Sequence, residues 1–316
     1  MRFRTVLIAA AAASSALATP AMAHRQWLLP STTTLAGTSE YVTVDAAVSN
    51  DLFYPDHVAL DPAAVKVWAP DGSEGKVENP SKGRYRGTFD VAIDKPGTWK
   101  IGMERSMIGG TFKLNGEQWR VGGRRPPMAP GAARPSGAAP AGAAPAGAAP
   151  ARAPGAPGSA GGQAGGQPMR MVASVAEIPA GATEVKLTES LSTYAIYVSA
   201  DAPTKGVLTP TGKGLEFDPV THPDALVSDE EAQFRFLVDG KPAAGVKVTL
   251  VPGGKKYREA EHAQELTTGA DGMVRVKWPV AGMYWMSATT EDAKPSDKRA
   301  SARRMTFGST LEVVAP

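Results

Sequence analysis

The feature that most restricts this chain is its punctuation. Apolar runs of strand length are each cut short by a Gly, Pro, Asn or Asp turn. No stretch sustains an apolar period of 3.6 with capping residues at both ends, so the pattern leaves little room for helix. Residues 41–48 mix β-branched and small side chains over one strand length. Residues 84–93 alternate, with Tyr85, Phe89, Val91 and Ile93 directed to one side. Pro70-Asp71-Gly72 and Lys95-Pro96-Gly97 read as turns. A strand over 98–103 follows, and Asn115-Gly116 marks a hairpin between 111–114 and 117–121. Beyond residue 224 short strands recur at 231–237, 245–251, 273–278, 282–288 and 309–314. The fold class predicted is all-β, built from two β-sandwich domains.

One segment departs from that pattern. Residues 124–170 hold ten prolines and ten glycines and repeat Ala-Ala-Pro-Ala-Gly. Such a composition cannot bury enough apolar surface to offset its ordering entropy, so a disordered insertion is expected. The strand-like 184–199 that follows is too short for a domain and is assigned to the first sheet. The expected organisation is therefore an N-terminal domain over 24–203 carrying this loop, a linker over 204–223, and a second sandwich over 224–316.

The N-terminus reads as an export signal. Arg2 and Arg4 precede an apolar, alanine-rich run, and Ala21-Met22-Ala23 is a small-residue cleavage site. At roughly 13 residues the run is short of the ~20 that a spanning helix needs. Residues 1–23 are thus expected to be a Sec signal peptide, the protein periplasmic in a Gram-negative bacterium, and the mature chain to begin at His24. No membrane span is expected.

Composition removes several chemistries. There is no cysteine, hence no disulfide, thiolate nucleophile, zinc–thiolate or iron–sulfur site. The net charge of +3 comes from Arg2 and Arg4 and from the five arginines of 124–170. Outside the leader and 124–170 the chain has 27 basic and 31 acidic residues, which argues against nucleic acid. No Gly-x-Ser-x-Gly elbow, phosphate loop or His-Glu-x-x-His is present. A non-enzymatic role is expected.

Histidine is scarce, and its placement carries the functional argument. The four are His24, His57, His222 and His262. Cleavage before His24 gives one residue an α-amine and an imidazole, which can chelate one Cu, Ni or Zn ion. A site joining His24, His57 and His222, with Asp45, Asp51 or Asp56 as a carboxylate, is the metal-ligand set proposed from the sequence. His262 sits in a polar run and reads as solvated surface, and the methionines, including Met283 and Met286, read as β core or turn and not as a copper-binding cluster. Trp and Tyr residues could build a carbohydrate platform, but alternating aromatics in β-proteins more often pack the core.

Two resemblances follow from particular residues. Gly240-Lys-Pro-Ala-Ala-Gly245, Leu266-Thr-Thr-Gly-Ala-Asp-Gly272 and Ala281-Gly282-Met-Tyr284 resemble the transthyretin-like, carboxypeptidase-regulatory-like sandwich. His24-Arg-Gln-Trp27, the stretch from Ser49 to His57, and Gly214 to Pro223 together resemble a periplasmic family of unknown function associated with nickel uptake. Its members often stand beside TonB-dependent receptors. The resemblance implies an accessory of metal uptake (nickel, cobalt, copper or an iron chelate) whose partners are a metal ion or metallophore and a TonB-dependent outer-membrane receptor. The alternatives are a structural module that docks to such a receptor or to the cell wall, and a histidine-brace copper oxygenase.

Overall fold

The computed structural model describes residues 24–122 and 170–316. Residues 1–23, expected to be the signal peptide, and the expected insertion, apart from Arg170, lie outside the described residues. Within them the secondary structure is strand, with four single-turn 3-10 segments and no α-helix. The chain is all-β, as the turn-punctuated sequence predicts. It forms two compact units: one from residues up to 105, 192–290 and 305–316, the other from 106–191 and 291–304.

In the first unit the strands Arg25–Pro30, Glu40–Ser49, Gly87–Ile93 and Glu78–Lys82 lie side by side in that order. Alternation explains the layer. Val42, Val44 and Ala46 share one face with Phe89, Val91 and Ile93, and all six are fully buried. Trp99, Ile101, Met103, Ile196, Val198 and Ala200 supply the opposing layer of the same core. Gly102 lets backbones approach there, since a Cβ would stand 2.3 Å from the Tyr194 carbonyl oxygen.

A further sheet of this unit contains Leu215–Pro219, Glu231–Val238, Lys241–Pro242 and Met273–Lys277. The turn at Asp239-Gly240 takes φ values of 51° and 74°, the left-handed pair a two-residue hairpin requires. Phe217 anchors the aromatic core, stacked on Phe307 at 5.0 Å and edge-on to Phe234 at 5.1 Å. The strand Lys247–Pro252 pairs with both Gln264–Thr267 and Gly282–Asp292.

The second unit contains the hairpin foreseen at Asn115-Gly116, where φ is 52° and 79°. Its core gathers Phe112, Val121, Val175, Leu187 and Ala300. Two strands expected at 98–103 and 111–114 are in fact one, Gly97–Leu114. The Gly109-Gly110 pair does not turn the chain; a Cβ on Gly110 would lie 2.0 Å from the Lys186 carbonyl oxygen, so these glycines admit a neighbouring backbone. Residues 25–30, given no strand from pattern alone, pair along Glu40–Ser49 over their whole length.

Candidate metal centre

The strand Glu40–Ser49 positions two histidines by register. On one edge Gln26 faces Val48 and Arg25 faces Ser49, so His24 emerges just beyond the strand end. On the other edge Val58 also faces Val48, so His57 enters beside Ser49. The intervening turn, 50–57, is folded back by Asp56, whose carboxylate accepts the Asn50 backbone N–H at 2.9 Å. Phe53 takes a left-handed φ of 62° within it. The outcome is a pair of stacked imidazoles, with His24 and His57 ring centroids 3.8 Å apart and planes inclined by 20°. Both residues are exposed.

Buried aromatics hold this end of the sheet. Trp27 donates from Nε1 to Ser49 Oγ at 2.7 Å, and Ser49 Oγ donates to the Asp51 carbonyl at 2.6 Å. Trp285 Nε1 donates to the Gln26 carbonyl at 2.9 Å. Arg25 lies over the Trp285 ring at 5.1 Å and makes a bidentate ion pair with Glu261. That pair holds the Glu261 carboxyl below its ordinary range, chiefly through the Arg25 hydrogen bond. The residue next to His24 is therefore tied to two distant segments.

His222 is occupied elsewhere. The Asp224 backbone N–H donates to His222 Nδ1 at 3.1 Å, leaving the proton on Nε2. Nε2 meets the Thr204 carbonyl at 3.2 Å and Thr98 Oγ1 at 3.1 Å. Thr98 Oγ1 lies 2.8 Å from Ser199 Oγ, which donates to Asp224 Oδ2 at 2.5 Å. Burial pushes the imidazole below its usual range, opposed by the Thr204 carbonyl. Burial also pushes Asp224 up to about 7; the Ser199 hydroxyl opposes this and the Glu312 charge adds to it. With both nitrogens engaged, His222 serves a buried polar network and does not join the His24–His57 pair.

The carboxylates proposed beside the histidines are likewise committed. Asp45 accepts from Arg86 and from Thr88 Oγ1, both at 3.1 Å. Asp51 pairs with Lys255 at 3.4 Å, and Asp56 caps its turn. Among the described residues no group of three or more His, Asp or Glu side chains is placed to hold a metal. His262 is exposed, at a left-handed φ of 56°. Of the three histidines proposed as ligands, the structure thus brings His24 and His57 together and leaves His222 apart. The sequence argument did not anticipate the Arg25–Glu261 tie; Arg25 was visible only as part of the His24-Arg-Gln-Trp27 motif.

The family model described as "Domain of unknown function (DUF4198)" matches residues 21–292, a span that contains all four histidines. No curated protein matches. Among solved structures, the D0-D1 domain of intimin aligns at 10% identity over 90% of this chain and 97% of its own, with a TM-score of 0.18. An Escherichia coli alpha-2-macroglobulin activated by porcine elastase aligns at 11% identity over 91% of this chain and 31% of its own, with a TM-score of 0.19.

Proposed function

This chain belongs to the DUF4198 family, and we propose that it is a periplasmic binding protein for a divalent transition metal or its chelate. His24 and His57 are the ligands. The observation that carries this reading is the proximity of the two imidazoles, 3.8 Å apart at an exposed strand end, where a turn of either ring off the stack would aim both at one ion. Imidazole is the commonest protein ligand for such ions. The donor set fits a captured ion: two rings share one exposed spot, and signal cleavage after Ala23 adds an amine to it. Export past the Ala21-Met22-Ala23 motif places the site in a compartment where incoming metals are met. The role is binding, with an uptake receptor as the partner that delivers or collects the ion.

The two-sheet arrangement of 231–292 supports a transthyretin-like reading of that region. Glu231–Val238 and Met273–Lys277 pair in one sheet, while Lys247–Pro252 pairs with Gln264–Thr267 and Gly282–Asp292 in another. Such a module is a scaffold, and the chemistry is assigned to the N-terminal pair.

The test is calorimetric titration of mature protein beginning at His24 with Cu(II), Ni(II) and Zn(II). One ion per chain is expected, with affinity lost in a His24→Ala, His57→Ala double variant. Equal binding by the double variant would refute the assignment.

A further inference from the structure

Resting on that reading, we infer that the ion taken by His24 and His57 is copper(II), held by the His24 amine, the His24 imidazole and the His57 imidazole. The donor inventory points this way. All three donors are nitrogen, and the chain has no cysteine to favour zinc or copper(I) through thiolate. No carboxylate is at hand to complete a harder set. Asp51 is spent on Lys255, Asp56 on the Asn50 amide and Glu261 on Arg25.

Geometry selects among the remaining ions. The amine and imidazole of one histidine close a six-membered chelate ring, whose bite is near a right angle. That angle suits a tetragonal plane better than a tetrahedron, and nitrogen-rich tetragonal sites belong to Cu(II) and Ni(II), not to zinc. The second ring is already beside the first, so His57 fills a third corner once either side chain turns to direct its nitrogen inward. Between the two tetragonal ions the Irving–Williams order places Cu(II) above Ni(II). Both histidines are exposed, so the fourth corner faces solvent and accepts water or an incoming ligand. A site with that opening exchanges its ion; a structural site would be closed.

The experiment uses the mature protein beginning at His24, challenged with equimolar Cu(II), Ni(II) and Zn(II), followed by metal analysis and electron paramagnetic resonance. Copper is expected to be retained over both rivals by about two orders of magnitude. Its spectrum should be axial with hyperfine structure from three nitrogens. A chain acetylated on the His24 amine, and separately His57→Ala, should each lose one nitrogen from that pattern while remaining folded. Retention of nickel or zinc in preference to copper would overturn the copper assignment and leave the metal-binding reading intact. Failure to retain any of the three ions would overturn both.

Discussion

The imidazoles of His24 and His57 stack at 3.8 Å although they reach each other from opposite edges of one strand. Ser49, at the end of that strand, faces Arg25 and bonds Trp27, so one residue organises both the strand register and the buried tryptophan. Neither imidazole belongs to the packed core, since both histidines are exposed, whereas Trp27 and Ser49 are buried. Two exposed rings beside buried neighbours can change rotamer without rebuilding the fold, which is what the proposed metal site requires.

His57→Ala should weaken copper binding by about 100-fold or more, beyond the ~10–100-fold typical for a residue that only supports a ligand. The thermal midpoint should stay within a degree or two, since an exposed ring contributes little burial. Calorimetry and differential scanning fluorimetry on the same preparation separate the two effects.

His222→Ala is expected to do the reverse. It strips the acceptor from the Asp224 amide and a partner from Thr98, inside a network that includes the buried Thr98 and Ser199. An orphaned buried polar group costs about 1–3 kcal/mol, so the midpoint should fall by several degrees. Metal affinity should be unchanged.

Asp224 gives a pH signature. Its folded-state value, up at about 7, exceeds the ~3.9 of an unfolded aspartate. The folded chain therefore binds the extra proton between those values, and its contribution to stability is complete at low pH and lost as pH rises through about 7. Asp224→Asn keeps an acceptor for the Ser199 hydroxyl and removes the titration. Urea unfolding at pH 5 and pH 8 should show this loss of stability on raising pH shrink by up to about 3 kcal/mol in the variant.

Glu261→Ala releases Arg25 from its ion pair and leaves the guanidinium over Trp285 alone. The backbone beside His24 then loses one of its two anchors. Copper affinity should drop by roughly tenfold, in line with loss of a supporting contact, with three nitrogens still present in the spectrum. A changed nitrogen count would show that Glu261 acts otherwise.

Much of the fold was legible because its signals are local. Asn115-Gly116 and Asp239-Gly240 adopt the left-handed turn their composition demands, and the alternation of 87–93 became the buried face of a strand. Local signals failed between 103 and 111: two strands are expected where there is one, Gly97–Leu114, in which Gly109 and Gly110 lie against neighbouring backbone. At the site, the scarcity of histidine singled out His24 and His57, but sequence could not separate them from His222. What distinguishes His222 is the set of polar groups around it, from Thr98, Ser199, Thr204 and Asp224, and three-dimensional packing alone brings these together. The Arg25–Glu261 tie was hidden for the same reason, its partners lying 236 positions apart.

The most direct measurement is anomalous diffraction from crystals of the processed chain soaked in copper(II), collected on either side of the copper absorption edge. One strong peak is predicted, about 2 Å from a ring nitrogen of His24, a ring nitrogen of His57 and the terminal amine. A peak at His222 or His262 instead, or an empty map at the His24–His57 pair, would contradict the assignment.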